Sequence, residues 1–412
     1  MPASKRFGRP LLLAARALLL ALAGVAHGQA TVIPVAAQAK ATVTPLAPRI
    51  GVITMEPGEE FWERFGHDAI VVVDSATGES VSYNFGFFDM SEPGFVGNFI
   101  RGYMQYYLVA LPTDADLSSY RDEGRGVSVQ WLDLDQDQAR GLASALAINA
   151  RPEHARYRYE YYTDNCATRV RDALDRALAG RLKQQLTGRS QGNTYRSESV
   201  RLAWPAKWMA FGFHLGMSGY GDRPLSRWEE AFIPMRLRDS LREVKRADGR
   251  PLVASEKIML PHRLSMPPDE MPRWRIPALF AGLVSALLIT WTGRRRPRLL
   301  LALALPFWLL AALTGLLMLY LWCFTAHVAG YGNENILLLS PLCLLLLPGG
   351  WQLMRSRQAS ARFRLLLWVV AGSAAIAGFL KFLPFRPQEN VEWVLLLLPI
   401  HLALARVFAP RP

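Results

Sequence analysis

The chain has 412 residues and a formal net charge of +13, a balance that first suggests a nucleic-acid partner. Locating the charge argues against one: residues 30–270 carry 29 Lys and Arg against 31 Asp and Glu, while residues 1–29 carry four basic residues and residues 271–412 carry 14 basic and 3 acidic. The excess sits in the apolar ends of the chain and belongs to membrane topology.

Residues 1–29 read as a signal peptide: Lys5, Arg6, Arg9 and Arg16, then an apolar run, then small residues. Residues 30–48 lack periodicity and form a lead-in, followed by a soluble domain over 49–262. Arg49–Met55 is expected as the first strand, and DAIVVVD (68–74) as a second. After the turn residues 75–78, ESVSYNFG (79–86) should return as its hairpin partner. The aromatic spacing of residues 95–108 suggests one helix face. A strand over 126–134 then runs into Asp135-x-x-Gln138, a capping pair for a helix to about residue 150. Tyr157, Tyr159, Tyr161 and Tyr162 resemble a strand with two faces. Thr163-Asp164-Asn165 offers three capable caps for a helix over 166–186 with Val170, Ala173, Leu174 and Ala177 on one side. Residues 187–262 read as short helical and loop pieces, and residues 263–275 as a linker.

Five apolar segments follow, at 276–293, 299–323, 335–354, 364–381 and 391–408, each near the ~20 residues that span a ~30 Å hydrocarbon core. Arg294, Arg295, Arg296 and Arg298 follow the first, and Arg355, Arg357, Arg362 and Arg364 lie between the third and fourth. The positive-inside rule puts these loops in the cytoplasm and the soluble domain outside. The expected location is therefore the bacterial cytoplasmic (inner) membrane, multi-pass, with the domain facing the periplasm. The external loop holding His327, Asn333, Glu334 and Asn335 is on the same side as that domain. A solvated polar turn is the plain reading of these groups; contact with a substrate headgroup, through His327 and Asn335, is the sharper one.

Of three cysteines, Cys166 alone lies in the soluble domain, where it has no internal disulfide partner. No CxxC, HExxH or zinc-type spacing occurs, so neither a metal nor a cofactor is expected. A thiol at a helix start sits beside the positive end of the macrodipole, which favours the thiolate, and the free N–H groups there can hold an oxyanion. His67, at the entrance of the second strand, is the candidate base. If residues 75–78 form the turn, Asp74 pairs with Glu79 and Ala69 with Asn84. His67 and Asn84 then share a face, and Asn84 can orient the imidazole. Asn165 and Arg169 flank the thiol; Arg169 either meets an acidic headgroup or pairs with Asp164 or Asp172.

Gly66-His67-Asp68-Ala69 followed later by Asn165-Cys166-x-x-Arg169 resembles the permuted papain-like, NlpC-related thiol enzymes. Phe65-Gly66-His67, Ser82-Tyr83-Asn84-Phe85-Gly86, Phe99-Ile100-Arg101-Gly102 with Tyr106-Tyr107, and Asn165-Cys166 with Thr168-Arg169 look like the Lnb family, the lipoprotein intramolecular transacylases. That resemblance implies an α+β permuted papain-like domain followed by a transmembrane bundle of about five helices. It also implies a Cys-His thiol acyltransferase or hydrolase: Cys166 would take an acyl chain from a lipoprotein or lipid as a thioester, with His67 as base. Asn84 stands where some lipid acyltransferases have a second histidine. A cell-envelope cysteine amidase or peptidase with the same dyad, and a non-catalytic assembly protein, are the alternatives.

Overall fold

The computed structural model describes residues 46–356 and 358–409. The signal peptide and most of the lead-in expected from the sequence lie outside the described residues.

Seven strands, β1 (Arg49–Met55), β2 (His67–Val73), β3 (Ser80–Phe87), β4 (Gln105–Pro112), β5 (Val127–Leu132), β6 (Arg156–Arg158) and β7 (Val253–Leu260), form one antiparallel sheet ordered β6-β4-β3-β2-β1-β5-β7. β1 is buried at every residue after Arg49, as a central strand covered on both faces must be. One face packs Ile50, Val52, Ile70, Tyr83, Phe85 and Leu108 against two helices, Gln136–Asn149 and Cys166–Ala177. The other buries Ile53, Met55, Ala69 and Val71 against Leu117 of the helix Thr113–Glu123. The alternation of β2 therefore sends Asp68 and Ile70 toward the cysteine helix, and His67 and Ala69 toward the opposite helix.

Two segments differ from the sequence expectation. The helix begun at Phe95 stops at Arg101, where Gly102 adopts φ +77° and its N–H bonds back to Phe99, a left-handed helix stop. The aromatic residues that follow belong to β4 instead. Likewise the cysteine helix ends at Ala177 rather than near residue 186; Ala179 (φ 51°) and Gly180 (φ 83°) turn the chain into a second helix, Arg181–Thr187.

Beyond the sheet, four helices among the described residues are long and apolar enough to cross a membrane: Arg275–Arg295, Pro297–Phe324, Glu334–Arg355 and Ala361–Phe382. The third is interrupted, running as 3-10 turns Glu334–Leu337 and Pro341–Leu345 before the α-helix Leu346–Ser356. A further apolar helix of 17 residues, Val391–Val407, packs so closely on the first that a Cβ at Gly282 would stand 2.4 Å from the Leu395 carbonyl oxygen.

The loops at 325–335 and 383–390 carry the sheet domain. Asn333 donates to the carbonyls of Leu215 and Gly216 at 2.9 Å, and Ser218 N–H to Ala329 at 2.6 Å. Glu389 N–H donates to Asp222 at 3.0 Å, and Trp393 to His214 at 3.0 Å. Arg196, wholly buried, grips Asp222 through two nitrogens and also bonds the His214 and Met217 carbonyls. On this side Lys381 and Arg386 both face Glu334, at 2.6 and 3.6 Å. The Arg-rich connections lie between other helix pairs, as charge asymmetry requires.

Candidate active site around Cys166 and His67

Asn165 is the N-cap of the cysteine helix. Its Oδ1 accepts from Thr168 N–H at 2.9 Å while Thr168 Oγ1 accepts from Asn165 N–H at 2.7 Å. This reciprocal pair satisfies two orphan donors and is worth about 1 kcal/mol. Asn165 Nδ2 is fully used on the Tyr161 and Phe232 carbonyls, at 2.9 and 2.8 Å. Cys166 thereby becomes the first residue of the helix, 9% exposed.

The sheet opens where the thiol sits. Pairing between β2 and β3 ends at Ala69 and Asn84, and the β3–β4 register shifts between Asn84 and Phe87. Gly86, at φ +93°, allows close approach: a Cβ there would lie 3.6 Å from Cys166 Cβ and 3.8 Å from the Tyr157 hydroxyl. The Tyr157 hydroxyl is buried without a hydrogen-bond partner.

The hairpin register is the one the turn dictates: Ala69 faces Asn84 and Asp74 N–H bonds Glu79. His67 Nε2 stands 3.0 Å from Asn84 Oδ1, and Asn84 Nδ2 donates to Asp116 Oδ2 at 2.9 Å. A carboxylate only accepts, so Asp116 holds the amide with its nitrogen outward and its oxygen toward the ring. The histidine must then carry its proton on Nε2, which leaves the Nδ1 lone pair free. Asp116 comes from the helix over the far face of the sheet, and nothing in the sequence pointed to it.

Burial sets the protonation states. It pushes His67 down to about 4, against the Asn84 hydrogen bond, so the imidazole is neutral at pH 7. It also pushes the Cys166 thiol up to about 12, assisted by the Asp68 carboxylate; backbone N–H groups only partly oppose it. The thiolate expected from the helix terminus is therefore not the resting form. Desolvation outweighs the dipole at a site this enclosed. Asp68, whose Oδ1 accepts from Thr54 at 2.7 Å and whose Oδ2 has no partner, is itself raised to about 7 by burial.

Two family models match the chain: the Lnb N-terminal periplasmic domain over residues 36–201 and the Lnb transmembrane domain over residues 275–409. The chain belongs to the Lnb family. No curated protein and no solved structure matches it. This Lnb-family chain is thus a membrane protein with a periplasmic domain, built on an α/β sheet and followed by apolar helices.

The remaining site candidates of this Lnb-family chain are engaged with protein. Arg169 pairs with Asp164, Nη2 to Oδ2 at 2.7 Å, and lies 4.1 Å over the Tyr157 ring. His327 Nε2 contacts the Phe99 and Ile100 carbonyl oxygens at 3.1 and 3.2 Å, and its ring stacks on Tyr161. Asn335 is wholly buried, donates to the Leu215 carbonyl at 2.8 Å and accepts from Asn390 at 2.8 Å. His327 and Asn335 fasten the domain to the bundle. Among the described residues, no group of three His, Cys, Asp or Glu stands where it could hold a metal.

Proposed function

We propose that this protein is a cysteine-dependent acyltransferase of the bacterial inner membrane that processes lipoproteins on the periplasmic side. The observation that carries the reading is the run Asp116–Asn84–His67, which leaves Nδ1 unprotonated on a strand whose next residue, Asp68, faces the cysteine helix.

In the proposed cycle, His67, which lies across β2 from the cysteine helix, reaches the thiol past the open end of the β2–β3 ladder, and its Nδ1 takes the Cys166 proton as sulfur attacks the ester carbon of a lipoprotein or lipid acyl chain. The N–H group of Cys166, with the unpartnered Tyr157 hydroxyl, would face the developing oxyanion. The C–O bond breaks, the alcohol leaves with the proton from His67, and Cys166 holds the acyl group as a thioester. An amine then attacks the thioester, gives a proton to His67 and leaves as the amide, while the thiol is restored. Neutral thiol and neutral imidazole are the resting pair, so proton transfer accompanies attack. The histidine strand precedes the cysteine helix in the chain, which supports a permuted papain-like ancestry.

The test uses the full-length protein in bilayer nanodiscs with a diacylglyceryl lipopeptide carrying an alkyne-tagged acyl chain. The reading requires a hydroxylamine-labile tag on Cys166, lost in Cys166→Ala and strongly reduced in His67→Ala. A protein that cleaves peptide amides without ever carrying the acyl tag would be an envelope amidase with the same dyad. Full lipoprotein maturation by a folded Cys166→Ala variant would make it a non-catalytic assembly protein.

A further inference from the structure

We propose that the short helix Phe95–Arg101, with Trp62 and Met90 beside it, is a second membrane-contacting surface, and that its occupant is the acyl-chain region of the outer leaflet. Phe95 and Phe99 point inward, stacked on Phe88 and on one another at 5.7 and 6.4 Å. One turn apart on the other side, Val96 and Ile100 are 64% and 47% exposed. The helix is thus apolar on two sides, one turned to the core and one to the outside, with Asn98 and Arg101 on the third. Trp62, set edge-on against Phe88 at 6.1 Å, and Met90 extend the same apolar surface and are both exposed.

The position of this helix supplies the occupant. The membrane helix Pro297–Phe324 ends in Tyr320, Trp322 and Phe324, all outward and exposed, which is the composition of an interfacial aromatic belt. Two residues later Ala326 N–H donates to the Arg101 carbonyl at 2.8 Å, and His327 holds the Phe99 and Ile100 carbonyls. Two residues of chain span at most about 7 Å. The C-terminus of the short helix is therefore tied to the bundle at the level of the belt, and its apolar side continues the lipid-facing surface of the bundle. Arg101 at the helix end, and Arg158 at 4.7 Å over the exposed Tyr103, stand where headgroups would meet them.

The same surface leads to the thiol through contiguous rings. Phe88 stacks on Tyr106 at 4.9 Å and Tyr106 meets Tyr159 at 4.4 Å. Tyr159 and Cys166 both approach the Gly86 position to 3.6 Å. An acyl chain leaving the leaflet at this helix would stay against aromatic carbon as far as the sulfur. This last step rests on the acyltransfer reading; contact with lipid does not.

The test places an NBD fluorophore at Ile100→Cys in a Cys323→Ser background, full-length protein in phosphatidylcholine/phosphatidylglycerol liposomes, with Trp322→Cys and Asp137→Cys as membrane and solvent references. Position 100 should show blue-shifted emission quenched by lipid carrying a doxyl group at acyl carbon 5, as position 322 does. Water-like emission without quenching, as at position 137, would overturn the proposal. A second arm uses Val96→Asp/Ile100→Asp: acylation of Cys166 by a bilayer-embedded donor should fall at least tenfold, while acylation by a soluble short-chain thioester stays unchanged. Equal loss with both donors would also count against it. Quenching at position 100 in a protein whose Cys166 takes no acyl group from any donor would sink the acyltransfer reading and leave the lipid contact standing.

Discussion

Replacing Asn84 by alanine tests whether the amide sets the histidine tautomer. In the native site Asn84 bridges His67 and Asp116 at 3.0 and 2.9 Å. Turning the amide over would forfeit its bond to a carboxylate, worth about 1.5–3 kcal/mol. By that margin Asp116 favours the orientation that leaves Nδ1 free, a ratio of about 10- to 150-fold. Asn84→Ala removes both bonds, and the hydrogen bond to the ring alone is worth about 0.5–1.5 kcal/mol. Cys166 acylation should therefore slow about 2- to 13-fold. Single-turnover acylation of the full-length protein by a chromogenic short-chain thioester reads this directly, with circular dichroism checking that the variant is folded. Asp116 acts only through Asn84, so Asp116→Ala should slow the step less, and the double variant should be no slower than Asn84→Ala. A rate for Asn84→Ala within twofold of the parent, or losses that multiply in the double variant, would refute the reasoning.

Three further substitutions give outcomes that follow from the geometry. Asp68→Asn keeps the Thr54 contact and removes a negative charge beside the thiol, so iodoacetamide should alkylate Cys166 from a lower pH; an unchanged or higher alkylation pKa would count against the assignment. Because the Asp68 carboxyl is raised from 3.8 to about 7, wild-type stability is lost as pH rises through that window, and the melting-temperature advantage of Asp68→Asn should widen from pH 5 to pH 8. Arg196→Met strands Asp222 as a buried charge and should cost about 3–5 kcal/mol in thermal or denaturant unfolding. Adding Asp222→Asn should restore much of that loss, and no restoration would mean the ion pair is not the cause. Gly315→Ala would place a methyl 2.1 Å from the Leu339 carbonyl, where the second membrane helix crosses the interrupted third. It should destabilise the bundle by about 3 kcal/mol, at the upper end of overpacking losses, seen as a lower melting point in detergent.

What could be read from the sequence was local and periodic. The β2–β3 register followed from the turn because the turn is self-determined: Asp74 Oδ1 accepts from the Ala76 and Thr77 N–H groups, and Gly78 takes φ +78°. The cap at Asn165 was legible for the same reason. Gly102 was the overlooked signal that separates the 95–101 helix from β4, since aromatic spacing alone fits either period. β7 was missed because, as an edge strand exposed along most of its length, VASEKIML shows no apolar alternation. The raised thiol pKa was illegible in principle, since it depends on how deeply the cysteine lies and not on its place in a helix. Asp116 and Tyr157 reach the site only through the tertiary fold, one across the sheet from β2 and one beside Gly86.

The hydrogen bonds that seat the sheet domain on the bundle have one more consequence. Leu215, Gly216, Ser218 and Asp222 are held by loops rooted in the ends of membrane helices, so the thiol cannot ride up and down on a flexible tether. Its height above the bilayer is a constant of the molecule. On the proposed chemistry the protein is then a depth gauge. It chooses among ester carbonyls by how far each protrudes from the leaflet, and one acyl position of a diacylated substrate can be taken over its neighbour with no group dedicated to telling them apart.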